Sequence, residues 1–132
     1  MSDNEQEIRD LVHRWAAAVE RYDLDAVVAD HAPDIVMFDV PPPEGGVRGI
    51  DAYRETWPPF FEWLRPDGAF EIVALEVNAG ADVSFAWALL RCGSPEELAH
   101  RPDRRLRPSI GLRRDDRSWA VAHEHHSFTD IA

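Results

Sequence analysis

An α+β fold follows from three features of the sequence. Up to Leu64, apolar residues recur three and four positions apart, the period of amphipathic helices. After Asp67-Gly68 the period drops to two, the signature of strands with one buried face. Three polar stretches, Asn78 to Asp82, Gly93 to Asp103 and Asp115 to Ser118, divide the C-terminal half into four strand-length runs. Helices first and strands after predict helices packed on a largely antiparallel sheet. With 132 residues, 45% of them hydrophobic, and no repeat or linker, a single domain over residues 1–132 is expected.

Ser2 or Asp3 is placed to cap a first helix running to about Tyr22. Ile8, Leu11, Val12, Trp15, Val19 and Tyr22 share its apolar face, with Glu5, Glu7, Arg9 and Arg14 opposite. Asp23 caps a short second helix, Leu24 to His31, which Pro33 stops. Ile35 to Asp39 reads as a strand, with a Pro-Pro-Pro-Glu-Gly-Gly loop after it that ends at Val47-Arg48-Gly49. Asp51 opens a third helix bearing Tyr53, Trp57, Phe60, Phe61 and Leu64. The Pro58-Pro59 pair must kink or restart it, because the ring nitrogens cannot donate. Phe70 to Val77 and Val83 to Cys92 form a hairpin, and Gly93 to Asp103 is a polar loop. Arg104 to Arg114 is a long strand, and Ser118 opens the last one. The predicted order is α-α-β-α-β-β-β-β.

The last run, Ser118 to Asp130, holds most of the chemistry. Strict alternation puts Trp119, Val121, His123, His125 and Ser127 on one face. Ala120, Ala122, Glu124, His126 and Phe128 fall on the other, where small residues leave room beside two titratable groups.

Composition excludes several functions. A net charge of -11 offers no basic stripe for nucleic acid. All 14 basic residues are Arg, so no lysine is available for a Schiff base. The single Cys92 excludes an intrachain disulfide and a Cys-rich metal site. No stretch reads as a signal peptide or reaches membrane length, so a soluble cytoplasmic protein without a membrane partner is expected.

Two stretches resemble a known family. Asp34-Ile35-Val36-Met37-Phe38-Asp39, with the Pro/Gly loop and Val47-Arg48-Gly49 before a helix, is similar to the ketosteroid-isomerase segment that holds the general base. Trp119-Ala120-Val121-Ala122-His123-Glu124-His125-His126-Ser127 is similar to the W-x-x-x-H-x-H-x-S ending of SnoaL-like proteins. The same ending occurs in the association domain of calmodulin-dependent kinases. The resemblance is to the nuclear transport factor 2-like superfamily, SnoaL-like and ketosteroid-isomerase-like branch, and it spans nearly the whole chain. It implies a curved antiparallel sheet, cone-shaped around three N-terminal helices, with a pocket on the concave face. It puts Asp39 where the isomerase base sits, Trp15 at its oxyanion-hole tyrosine and Ser109 at its neutral carboxylic acid. His31 and Trp57 fall at supporting tyrosines. Glu124 and His126 face inward, and Arg107 shares a face with Ser109. An indole and a hydroxyl are weaker acids than the phenol and carboxylic acid they replace.

The residues themselves leave alternatives open. Asp39, rigidly placed between Phe38 and three prolines, is either a base or a turn residue paired with Arg48. Trp15 and Trp57 are core residues or ligand contacts, and His31 lines the pocket or complements a helix dipole. Arg107 orients an anion or is a surface charge. His126 beside Glu124 supplies an acid or orients substrate. His123 and His125, two apart on a strand, have a spacing that suits zinc, but no third ligand has a fixed spacing. The resemblance sets that pair on the convex face, so no metal and no cofactor is expected. Phe85, Trp87 and Leu89, with Trp119 and Val121, would form a convex apolar patch that a second copy covers, a homodimer. The expected function is binding of a small organic molecule, with isomerisation, cyclisation or dehydration next to a carbonyl. The alternative is a non-catalytic ligand-binding or oligomerisation module.

Overall fold

The computed structural model describes residues 3–130, so Ser2, one of the two expected caps, lies outside them. Helix α1 spans Asp3–Glu20 and buries Ile8, Leu11, Val12, Trp15, Ala16, Ala18 and Val19 along one stripe. Asp23 caps α2 (Leu24–Val28) by accepting from the Ala26 amide. That helix stops three residues short of its expected end. His31 instead opens strand β1 (His31–Phe38), because the Asp30 carbonyl and His31 are drawn into pairing with Val121. Pro33 thus sits exposed within a strand, where the ladder to its neighbour is interrupted.

A two-residue strand β2 (Val47–Arg48) pairs with β1 ahead of α3 (Ile50–Glu55) and α4 (Trp57–Leu64). Of the two expected proline effects, a restart is the one that occurs. Pro58 and Pro59 occupy the first turn of α4, where their missing amide protons would find no helical partner anyway. The hairpin β3 (Ala69–Asn78) and β4 (Val83–Gly93) comes next, as expected. The predicted loop after it contains a helix, α5 (Pro95–His100), whose cap Ser94 accepts from the Glu97 amide. Strands β5 (Leu106–Asp115) and β6 (Ser118–Phe128) complete the fold.

The six strands run in the order β2-β1-β6-β5-β4-β3 as a curved, unclosed sheet packed on the N-terminal helices. The sheet is not wholly antiparallel, since β1 and β6 pair in parallel. No hairpin joins those two strands, so turn geometry does not dictate their direction.

One irregularity decides where the β6 side chains point. Gly111 pairs with His123, yet Leu112 pairs with Val121, so Ala122 is an extra residue bulged out of the ladder. Parity flips at that point. Trp119 (5% exposed) and Val121 (2%) therefore join Glu124, His126 and Phe128 inside, against the expectation that they lie on the convex face. Phe85 and Trp87 do lie outside, 56% and 42% exposed. Among the described residues no helix is long and apolar enough to cross a membrane.

Candidate active site: a cavity over a buried carboxylate

Helix α4 leans over the concave face and leaves a cavity of about 480 Å³. Its walls are apolar: Trp57, Phe60 and Trp63 from α4, Phe70 from β3, Leu106 from β5 and Phe128 from β6. Phe60 meets Phe70 edge-on at 5.7 Å and Trp63 lies 6.1 Å from Phe128, so the helix and sheet walls are in ring contact. The polar groups are few. His126 and Asp39 stand at one end, and Glu97, Arg101 and Arg104 line the α5 end.

Behind His126 lies Glu124, 1% exposed and yet fully engaged. Its Oε1 accepts from His126 Nε2 at 2.8 Å. Its Oε2 accepts from His31 Nε2 at 2.6 Å and from the Tyr53 hydroxyl at 2.8 Å, and Trp15 Nε1 in turn donates to that hydroxyl at 3.3 Å. Burial alone would raise the Glu124 pKa. The hydrogen bonds from His126 and His31, with their charge, outweigh burial and hold the carboxyl well below its usual range. Burial and then the Glu124 charge push the Tyr53 phenol well above its ordinary value, so it remains a donor. For His126, burial disfavours the cation, but the Glu124 bond, its charge and the Asp39 charge prevail and raise the pKa.

With Nε2 committed to Glu124, His126 turns Nδ1 toward Asp39, whose Oδ1 is 3.9 Å away. Asp39 Oδ1 also accepts from the Val40 amide at 2.8 Å. The result is an oriented imidazole and a half-buried carboxylate side by side at the cavity wall.

Of the residues singled out in the sequence, Asp39, Trp57 and His126 line the cavity. Glu124, His31 and Trp15 form the buried tier behind them and do not line it. Arg107 and Ser109 are placed elsewhere. Leu106, Pro108 and Ile110 take the inward positions of β5, so the two residues between them face outward. There Arg107 donates to Ser127 Oγ and to the Phe128 carbonyl. His123 gives its Nδ1 proton to the Val36 carbonyl at 2.6 Å, and His125 is exposed. Among the described residues no cluster of three or more His, Cys, Asp or Glu could hold a metal ion.

Spacing alone makes Tyr53, the hub of the network, one more core residue of its helix face, and polarity alone makes α5, with Glu97 and Arg101, a loop. Tyr53 carries no sequence signal that separates it from its apolar neighbours. The α5 cap was legible as Ser94-Pro95-Glu96-Glu97.

A curved sheet wrapped on helices over an apolar cavity with a few polar groups defines a small-molecule-binding fold of the nuclear transport factor 2-like superfamily. The SnoaL-like domain family matches residues 8–131, and the chain belongs to that family. A nuclear transport factor 2-like protein of unknown function from Pseudomonas putida KT2440 is 31% identical, with 93% of this chain and 84% of that chain covered at a TM-score of 0.77. Two more distant structures share the fold alone. A ketosteroid isomerase-like protein from Erwinia carotovora atroseptica is 19% identical (99% and 100% covered, TM-score 0.71). A protein with a cystatin-like fold from Novosphingobium aromaticivorans is also 19% identical (98% and 84% covered, TM-score 0.74). No curated protein matches the chain significantly.

Proposed function

We propose that the cavity binds a small, mostly apolar carbonyl compound and catalyses proton transfer next to the carbonyl, as an isomerase, cyclase or dehydratase does. The observation that carries this reading is the placement of His126 between Glu124 at 2.8 Å and Asp39 at 3.9 Å, on the cavity wall. As imidazolium, His126 donates through Nδ1 to the substrate oxygen, while Glu124 fixes the ring and balances its charge. Asp39 takes the proton from the adjacent carbon. A carbonyl oxygen and its α-carbon are about 2.4 Å apart from covalent geometry, a span that an acid and a base side by side can serve together. Trp57 excludes water from the site, and Tyr53, His31 and Trp15 hold Glu124 in place.

The test pairs two variants on whatever ligand co-purifies and is identified by native mass spectrometry. Asp39→Asn is expected to lower turnover roughly 10²- to 10⁴-fold with affinity little changed. His126→Ala is expected to weaken both. Intact turnover in Asp39→Asn removes Asp39 as the base, and unchanged binding in His126→Ala removes the site.

The outer sheet face supports a homodimer alongside this reading. Cross-strand pairing sets Glu76, Trp87, Ser109, His125 and Phe38 in one row, with Phe85 in the next. Its exposed aromatic rings form an apolar surface that a second copy of the chain would cover.

A further inference from the structure

The two arginines at the α5 end of the cavity take no part in the proposed proton transfer. Arg104 comes after α5 and lies over the Phe128 ring, its guanidinium carbon 4.3 Å from the ring centre. Its side chain is 9% exposed and lines the cavity. Its Nε donates to Asp130 Oδ1 at 2.8 Å. Arg101, on the same rim, donates through Nη1 to the other oxygen of the same carboxylate at 2.6 Å. One carboxylate thus serves two guanidinium groups. The second acid, Glu97, meets Arg104 Nη1 only at 3.4 Å, longer than a good charge-assisted bond. Nη2 of both arginines has no hydrogen-bond partner among the described residues.

Two cations share one tightly held anion and one loosely held anion, with donors left over beside an apolar chamber. From this we infer that the cavity ligand carries a carboxylate, held by Arg101 and Arg104 at the α5 rim. A guanidinium presents its donors as a planar fork that matches a carboxylate. The Glu97 side chain stands where that group would compete, and it is loosely enough held to yield. Phe128 lies between the two poles. It is two residues after His126 on the same inward face of β6, roughly 7 Å along the strand. Arg104 covers one face of the Phe128 ring, so a flat molecule passing along the open side of that ring reaches His126 with one end and the arginine rim with the other. The substrate class becomes an aromatic or alicyclic keto acid. This rests on the cavity being the ligand site proposed above.

The probes are 2-naphthoate and its uncharged counterpart 2-naphthamide, titrated separately and followed by fluorescence of the tryptophans in the wall. In the wild-type protein the acid is expected to bind about tenfold more tightly than the amide, the size of one good charge-assisted bond. Arg104→Gln abolishes that preference while amide binding persists. Arg101→Gln, on an exposed side chain, reduces it and stands in if the Arg104 variant does not fold. Glu97→Gln acts in the opposite direction and raises the preference several-fold, because the competing anion is gone. Equal binding of acid and amide overturns the inference while leaving the cavity reading intact. So does a preference that survives both arginine variants and disappears in His126→Gln. If neither probe binds, both the inference and the cavity reading fail.

Discussion

Glu124 accepts three hydrogen bonds with almost no contact with water, so its ionisation and that of His126 are tied to the folded state. The depressed Glu124 pKa makes a contribution that is present above the ordinary glutamate value of 4.5 and is lost as pH falls through the lower folded value. The raised His126 pKa makes a contribution that is complete below the ordinary histidine value of 6.5 and is lost as pH rises through the higher folded value. The pair therefore stabilises most between those two ordinary values. Melting curves across pH should show stability declining on the alkaline side, and His126→Gln should flatten that limb. A wild-type protein whose alkaline limb matches that of His126→Gln would contradict the charged pair. Ligand chemistry that depends on an imidazolium should weaken over the same range.

Single elements show what a sequence reveals and what it conceals. The amphipathic face of α1, the Asp23 cap and the β3–β4 hairpin were legible because each is encoded locally, by spacing or by one side chain. Alternation within a short run put Glu124 and His126 on one face, and the resemblance made that face the inward one. That of Trp119 and Val121 was not, because the bulge at Ala122 exists only in relation to the register of β5. Arg107 and Ser109 are outward for a different reason. The resemblance put them inside, but the Leu106, Pro108 and Ile110 side chains claim the inward face. The bulge makes a direct prediction. Deleting Ala122 either turns Trp119 and Val121 out to solvent, at about 1.5–3 kcal/mol each for large side chains, or turns Glu124 and His126 out instead. Either way the variant should melt far below the wild type or fail to fold. A deletion variant with a native melting temperature would show that the bulge is incidental.

At the scale of the whole molecule, the sheet has one face committed to helices and cavity and one face carrying Phe85 and Trp87 in the open. Light scattering should find a dimer at micromolar concentration, and Trp87→Glu with Phe85→Glu should give a folded monomer. A wild-type monomer at that concentration would refute the assembly. Glu124 also joins parts of the chain that are far apart in sequence: its partner His31 is 93 residues away and Tyr53 is 71 away. The β4–β5–β6 meander closes short loops, whereas the parallel β1–β6 pairing closes the longest one in the sheet. In kinetic terms, the site is expected to form last. Ile35→Val in β1 should mainly speed unfolding, and Val77→Ala in the β3–β4 hairpin should mainly slow folding, as a chevron analysis would show. A nascent or damaged chain that has built only its meander has a sheet, but Glu124 still lacks His31 and Tyr53, so the wall behind the cavity is complete only once the fold is.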